Sequence, residues 1–152
     1  MSLRVIIFLL TLLAAPASFG AAFFQAGASC VPVNNSVSTK TKFNYGGVIN
    51  NSTGTRWIIC PVIHETLSDS NDTEVVLALL NGNSESVEVP CYFRYISTDE
   101  GLVTLTRSVA IPSDDAVQAT FSVINEIAVG MSLTCGLKPN TGIWFLGTET
   151  TY

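Results

Sequence analysis

Residues 86–95 read SVEVPCYFRY, and apolar and polar side chains alternate along most of the segment. One face carries Val87, Val89, Cys91, Phe93 and Tyr95. The other face carries Glu88, Pro90, Tyr92 and Arg94. A period of two is typical of a β-strand that buries one face in a core and leaves the other outside. The segment therefore predicts a strand whose Cys91 points inward while Tyr92 and Arg94 point outward.

Comparable segments recur on both sides of this one, separated by turn signals at intervals of roughly ten residues, a spacing typical of all-β proteins. The other predicted strands cover residues 42–50, 56–63, 74–80, 102–110, 116–124, 131–137 and 143–150. Antiparallel strands of this kind must each bury one face, and two packed sheets do so most simply. We therefore expect an all-β, single-domain antiparallel β-sandwich of about eight short strands.

Three segments predict finer features of these strands. Residues 56–63 (RWIICPVI) are almost wholly apolar, which predicts a strand buried on both faces. Asn81 and Gly82 follow the segment 74–80, and this pair favours a hairpin because both residues tolerate positive φ. Pro90 has no backbone N–H to donate, so its strand is expected to have a free edge or a bulge at that residue.

The N-terminal segment is typical of a secretory signal peptide. Arg4 supplies a positive charge, and residues 5–15 form an uncharged apolar run of the length expected for the hydrophobic region of such a signal. We predict a signal over residues 1–22 and a β-sandwich domain over residues 23–152, secreted or periplasmic. The mature chain is expected to begin within residues 18–25.

A retained membrane anchor is the alternative for the same segment. Residues 5–24 carry no charge, and a run of that length can span a bilayer. Pro16, Ser18 and Gly20 weaken such a helix and match a cleavage region better. We therefore expect no stable membrane insertion after the signal is removed.

Charge excludes several classes of partner. Seven basic residues against twelve acidic residues give the chain of 152 residues a net charge of −5, with no basic cluster. Nucleic acids and anionic membrane surfaces attract basic patches, so neither is an expected partner. The sequence also lacks a glycine-rich phosphate loop, and no cofactor is predicted.

The four cysteines, Cys30, Cys60, Cys91 and Cys135, all follow the leader. No pair forms a CxxC motif, and with one histidine in the chain there is no zinc-binding cluster. In an oxidising compartment four cysteines indicate two disulfides, for which three connectivities exist.

The faces of the predicted strands favour one of these connectivities. Cys91, Cys60 and Cys135 each lie on an apolar face and are expected to point into the core. Cys30 precedes the first predicted strand, in a stretch rich in serine and asparagine. We predict the pairs Cys91–Cys135 and Cys30–Cys60, the second of which ties the N-terminal arm to the body of the domain.

No catalytic constellation is evident, and we predict a non-enzyme. His64 is the single imidazole, and no nucleophile-elbow pattern accompanies it. The acidic pairs at residues 99–100 and 114–115 fall in predicted turns, where acids shape the backbone. Residues 69–74 begin like a calcium loop, but Glu74 stands where the sharp turn needs glycine, so no metal is predicted.

The aromatic residues suggest where a partner could bind. Trp57 and Trp144 lie in apolar strands, which favours core packing, with sugar stacking or partner contact as the alternative. Tyr92 lies beside Arg94 on the outward face of its strand, and both residue types are enriched at interfaces. These two residues are therefore the candidate interface, for a protein or a glycan.

Four short motifs are spaced along the chain, at residues 45–52 (YGGVINNS), 58–62 (IICPV), 89–91 (VPC) and 133–137 (LTCGL). With these motifs the sequence resembles a group of small secreted bacterial proteins that have four cysteines and an "ICP" strand. Gly142, Ile143 and Glu149 also match the group, whereas Lys138 stands where the group tends to have a proline. The resemblance implies secretion and a disulfide-bonded β domain, and it implies no catalytic residue.

Two classes of function follow from these observations. The first is a non-enzymatic β-sandwich that binds a partner or has a structural role at the cell surface or in the envelope. A pilin-like or adhesin subunit belongs to this class, and it would leave an apolar groove for a partner's donor strand. The second class is a hydrolase on the same scaffold, which would need His64 or paired acids in a cleft.

Overall fold

The computed structural model describes residues 21–26, 29–33, 41–44, 47–62, 72–123 and 128–151. The predicted leader up to residue 20 lies outside these ranges, and so does His64. The described strands are β1 Ala21–Ala26, β2 Val31–Pro32, β3 Thr41–Asn44, β4 Gly47–Asn50, β5 Arg56–Pro61, β6 Asp72–Asn81, β7 Val87–Ser97, β8 Gly101–Ile111, β9 Asp115–Val123, β10 Ala128–Leu137 and β11 Thr141–Thr151. No helix in these ranges is long and apolar enough to cross a membrane.

The strands form two sheets in which neighbours run antiparallel. The six-stranded sheet has the order β3-β4-β11-β6-β9, with β1 also paired to β11, and the five-stranded sheet has the order β2-β5-β10-β7-β8. The predicted all-β antiparallel sandwich is therefore confirmed. The described strands outnumber the predicted ones because β1 and β2 precede the first predicted strand, and because residues 42–50 form two strands, with Asn44 opposite Gly47.

The core lies between the two sheets and is built by alternate residues of each strand. On β7, Val89, Cys91, Phe93 and Tyr95 are all buried, as their alternation predicted. The ring of Phe93 lies 5.7 Å from that of Phe121 on β9, so an aromatic contact joins the two sheets. The inner faces therefore follow the period of two in the sequence.

Both disulfides join neighbouring strands of the five-stranded sheet. Cys91 and Cys135 lie directly opposite each other on β7 and β10 and are bonded. Cys30 immediately precedes β2, which pairs with β5, and it is bonded to Cys60 of β5. All four cysteines are fully buried, and the two pairs are those that the sequence predicted.

The prediction that residues 56–63 are buried on both faces is wrong. In β5, Ile58 and Cys60 are buried, but Trp57 is 40% exposed and Pro61 is also exposed. The five-stranded sheet covers the core with one face, and no described element covers its other face. The apolar side chains of β5 that point away from the core therefore reach the surface.

The hairpin predicted at Asn81 and Gly82 is also wrong. Asn81 ends β6 in the six-stranded sheet, whereas the next strand, β7, lies in the five-stranded sheet. The connection therefore crosses from one sheet to the other. Neither Asn81 nor Gly82 has a positive φ. Asn81 is buried, and its side chain holds the connection in place through hydrogen bonds to backbone carbonyls.

Pro90 lies in an interior strand, since β7 is paired with β10 on one side and β8 on the other. The strand as a whole is therefore not at an edge of the sheet, and the register with β8 shows no bulge at Pro90. On the other side, however, the paired register with β10 ends at Cys91 and Cys135. Pro90 comes just past this last pair, where its missing N–H leaves no ladder bond unmade.

Candidate functional site

The outer face of the five-stranded sheet concentrates exposed apolar side chains. Of the six large apolar side chains that are exposed in the described residues, five belong to strands of this sheet or directly follow one of them: Val31, Val33, Trp57, Ile96 and Leu102. Monomeric proteins seldom expose apolar side chains as a group, and such a group marks an interaction surface. This face is therefore the candidate interaction surface.

Trp57 rests on a position that has no side chain. Gly136 of β10 lies directly opposite Trp57 of β5. A Cβ atom on Gly136 would lie 3.0 Å from Cη2 and 3.1 Å from Cζ3 of the indole, and 3.2 Å from Cγ of Pro90. The indole therefore packs against bare backbone and beside the Pro90 ring, and Gly136 is buried beneath it although it points outward.

Tyr92 completes an aromatic surface with Trp57. Thr134 of β10 lies between them in the sheet, opposite Ile59 on one side and Tyr92 on the other. The two rings are 5.5 Å apart between centroids and are tilted by 33°, a favourable separation for aromatic pairs. We call Trp57, Tyr92 and Pro90 the aromatic platform. Trp57 is 40% exposed and Tyr92 is half-buried, so the platform is open to solvent.

Hydroxyl groups surround the platform on the same face. The register places Thr134 opposite Tyr92, and beyond Tyr92 it places the outward side chains of β8. The hydroxyl-bearing residues of this face are Ser132, Thr134, Thr104, Thr106 and Ser108. Each offers one donor and acceptor oxygens. Glu88 also lies on this face, where its Oε2 accepts a hydrogen bond from the Ser108 hydroxyl at 3.4 Å. The platform is therefore an apolar surface flanked by hydroxyl groups and by one carboxylate.

Arg94 adds one positive charge to this face. It lies two residues beyond Tyr92 on β7, opposite Ser132 of β10 and Thr104 of β8. Arg94 is exposed, and no described residue forms a hydrogen bond or an ion pair with it. The structure thus brings Tyr92 and Arg94 to one outer face, as predicted, and adds Trp57, which was expected to pack in the core.

Trp144 is also exposed, but on the six-stranded sheet. It lies where the register between β11 and β6 shifts, between Ile143 and Phe145, and half of it is accessible to solvent. Bulges of this kind redirect a side chain. The expectation that Trp57 and Trp144 pack in the core is therefore wrong for both residues.

The loops at one end of the sandwich are held by two buried asparagines. The Nδ2 group of Asn81 donates to the carbonyl oxygens of Glu85, Ile111 and Pro112, at 2.8 Å, 3.2 Å and 2.9 Å. Its Oδ1 atom accepts from the backbone N–H of Asn83 at 3.0 Å. One side chain therefore fixes the crossing from β6 to β7 against the crossing from β8 to β9.

Asn50 repeats this arrangement at the end of β4. Its Nδ2 group donates to the carbonyls of Gly54 at 2.8 Å and Leu137 at 2.9 Å. Its Oδ1 atom accepts from the backbone N–H of Ser52, two residues on, at 2.9 Å. Asn50 is fully buried and precedes β5, so this clamp fixes the start of the strand that carries Trp57.

A shallow recess of about 500 Å³ lies near these loops, away from the platform. Ile49, Leu80 and Ala116 contribute apolar surface, and Asp114 and Asp115 contribute carboxylates. Among the described residues that line it there is no aromatic side chain. The described lining residues of this recess therefore differ from the platform, which is built of two aromatic rings and a proline ring.

Nothing in the described residues assembles a catalytic or metal site. The acidic pair at residues 99–100 lies in the turn between β7 and β8, and the pair at residues 114–115 lies in the loop after β8, at the other end of that strand. No group of three or more histidine, cysteine or acidic residues comes together among the described residues in a way that could hold a metal ion. All four cysteines are bonded, so no thiol is free to act as a nucleophile.

Comparison with protein-family models gives no match, and neither does comparison with curated protein sequences. Comparison with solved structures gives several similar folds. The CBM22-2 xylan-binding domain from Paenibacillus barcinonensis superposes with a TM-score of 0.55 at 8% identity, covering 85% of this chain and 99% of that domain. The CBM22-1 xylan-binding domain of the same enzyme has a TM-score of 0.51 at 8% identity, with 91% and 98% covered.

A two-module chain of Clostridium thermocellum, with the CBM22-1 and GH10 modules of an endo-1,4-β-D-xylanase, is similar at a TM-score of 0.54 and 10% identity. The match covers 89% of this protein and 28% of that chain, so it spans well under half of that chain's length. At these identities the similarity establishes the fold. The chain shares the β-sandwich fold of these carbohydrate-binding modules.

Proposed function

We propose that this protein is an extracytoplasmic, non-enzymatic binding module whose aromatic platform stacks on a sugar of a polysaccharide. The observation that carries the proposal is the indole of Trp57, which lies on Gly136 at 5.5 Å from the Tyr92 ring and is open to solvent. A rigid aromatic surface binds a flat apolar ligand at a low cost in conformational entropy.

The chemistry of a pyranose fits this face. One side of the ring exposes C–H groups, which can pack on the indole, and the rim carries hydroxyls. The hydroxyls of Thr134, Thr106 and Ser108 lie on the same face as the platform and can hydrogen-bond to the sugar rim, directly or through water. The face therefore offers both contacts that a neutral sugar needs.

Similar folds support a polysaccharide as the ligand class. Two matches that cover nearly the whole of the other domain are described as xylan-binding domains. Xylan is therefore the first ligand to test, followed by other neutral and acidic polysaccharides. The buried disulfides fit a location outside the cytoplasm.

The donor-strand alternative receives less support. Strand β11 is paired with β6 along one side, and on its other side it pairs with β4 and then with β1. Both sides of this strand are therefore occupied by described residues of the same chain. A pilin-like subunit awaiting a partner's strand would leave such an edge open.

Affinity electrophoresis of the mature chain in gels that contain each polysaccharide tests the proposal. Trp57→Ala should weaken binding by about thirtyfold, since a central aromatic contact is worth about 2 kcal/mol. Trp144→Ala is the matched control, because it removes an exposed tryptophan from the other sheet, and it should leave binding unchanged. Equal retardation of the parent and Trp57→Ala in every gel would contradict the proposal.

A further inference from the structure

Most edge strands of the described sandwich carry a feature that blocks pairing with another chain. Strand β2 is two residues long and contains Pro32, and the sequence of β3 contains Lys42. Strands β8 and β9 are edge strands of the two different sheets. Arg107 places a charge on β8, and its Nη1 donates to the carbonyl of Thr120 on β9 at 2.7 Å. This bond occupies one backbone acceptor of β9. Short length, proline and charge are the usual protections of exposed edges.

Strand β1 lacks these protections. Its sequence, AAFFQA, has no charge and no proline, and its register with β11 is continuous from Ala21 opposite Thr150 to Ala26 opposite Phe145. It follows the same side of β11 as β4, which pairs only with Gly142 and Ile143. Among the described residues, nothing pairs with the second edge of β1.

We infer that this edge is a dimer interface, in which β1 pairs antiparallel with β1 of a second copy. A strand can pair with the same strand of a second copy about a two-fold axis when the residues that lie opposite each other are compatible in charge and size. In the register that uses all six residues, Ala21 lies opposite the partner's Ala26, and Phe23 lies opposite the partner's Phe24. No charge opposes a like charge, so the strand is complementary to itself.

The proposed β1–β1 interface buries a small area, and this limits the affinity of the dimer. A pair of six-residue strands buries less than the roughly 1,200 Å² at which stable interfaces begin, so the association belongs to the weak class. We therefore expect a monomer–dimer equilibrium at micromolar concentrations. The twelve strands of the two six-stranded sheets would form one continuous antiparallel sheet.

The two-fold axis has a consequence for the aromatic platforms, which rests on the proposed function. An axis that relates antiparallel neighbours in a sheet is perpendicular to it, so both copies keep the same face on the same side. The five-stranded sheets of the two copies then lie on one side of the dimer. Two platforms would face the same polysaccharide surface, and binding would gain from avidity.

Charge reversal at the ends of β1 tests the pairing. Ala21→Lys/Ala26→Lys places lysine opposite lysine twice in the dimer, and Ala21→Glu/Ala26→Glu places glutamate opposite glutamate. Their neighbours on β11, Thr150 and Phe145, carry no charge. Analytical ultracentrifugation should show the parent chain as a monomer–dimer equilibrium, and each variant alone with a dissociation constant raised by about tenfold or more.

Mixing the two variants should restore dimers of mixed composition, because each lysine then faces a glutamate. High salt should partly restore the lysine dimer, since it screens repulsion. Ala110→Lys/Ala116→Lys, at exposed alanines outside β1, should dimerise like the parent. N-terminal sequencing of each sample must show a chain that begins at or before Ala21. A mature parent chain that has lost Ala21, as cleavage after residue 22 would produce, overturns the inference, because the six-residue pairing then cannot form.

A parent chain with β1 intact that stays monomeric at high micromolar concentration overturns the inference. Dimers that persist in both charge variants also overturn it, because they would form through another surface or by exchange of β1 onto a partner's β11. Failure of the proposed function gives a different result, namely dimers that respond to the charges as described but bind no polysaccharide. If both proposals hold, the charge variants keep the binding of a short oligosaccharide and lose retention on the polymer.

Discussion

Gly136 shows how one residue without a side chain can create a binding surface. The residue lies in an interior strand and points outward, where a Cβ would approach the Trp57 indole to 3.0 Å. The missing side chain lets the indole lie down on the sheet beside Pro90. Glycine weakens strands in general, so its presence here is consistent with a role in positioning Trp57.

Gly136→Val should lift the indole from the sheet and weaken polysaccharide binding by about tenfold, since overpacking of this kind costs about 1–3 kcal/mol. The fold should be retained because valine favours strands. Gly54→Val is the control, because no atom lies within 4 Å of a Cβ placed there. A valine variant at position 136 with unchanged affinity and unchanged tryptophan emission would show that Gly136 does not position Trp57.

At this scale the sequence predicts side-chain direction where alternation is clean. Tyr92 and Arg94 were expected to point outward, and they do. Trp57 was missed because its segment is almost wholly apolar, which favours burial on both faces. The alternation did contain a signal. Cys60 was expected to point inward, and Trp57, three residues earlier, lies on the opposite face of the strand. For Trp144 no such signal existed, because the register shift in β11 interrupts the alternation.

Among the elements, the six-residue strand β5 is held in place by three separate interactions. It is bonded through Cys60 to Cys30, it pairs with β10 along its whole length, and the Asn50 clamp precedes it. Such a strand holds Trp57 on a rigid support, which is what a preorganised site requires.

The two disulfides should contribute unequally to stability. Cys91–Cys135 joins two interior strands of the sheet, whereas Cys30–Cys60 attaches the two-residue edge strand β2. Replacing Cys91 and Cys135 by alanine should cost about 4 kcal/mol in the chain-entropy account. Replacing Cys30 and Cys60 should cost less, because the N-terminal arm can fray while the core stays closed.

Denaturant unfolding of both double variants, with circular dichroism as the probe, measures the two losses. The larger fall in the free energy of unfolding should follow the loss of Cys91–Cys135. An equal or larger fall without Cys30–Cys60 would mean that the N-terminal arm belongs to the cooperative core.

The elements that the sequence predicted are those with a regular alternation, such as β7, β9 and β10. Strand β1 was not predicted, because its residues resemble the end of a signal peptide, and β2 is too short to give a periodic pattern.

The Asn81 hairpin was wrong for a physical reason. Asparagine and glycine mark a turn, but pairing across the whole sheet decides which strand follows it, and local residues do not contain that information.

For the whole molecule, the alternation of the strands, the leader and the four cysteines indicated a disulfide-bonded β-sandwich outside the cytoplasm. The sandwich and its bridges are confirmed, and the signal peptide stays a prediction. The sequence did not predict the platform as a unit, because Trp57, Tyr92 and Gly136 come from three different strands, β5, β7 and β10. Their meeting depends on strand order and register, which exist only in the folded sheets.

The most direct test of the central claim is the accessibility of Trp57 in the presence of ligand. In a Trp144→Phe chain Trp57 is the single tryptophan, and acrylamide quenching of its fluorescence can be measured with and without a polysaccharide that retards the protein in gels. The ligand should protect Trp57, so that its quenching constant falls as the site fills. Saturated binding with unchanged quenching of Trp57 would contradict the account, because the ligand would then lie elsewhere on the molecule.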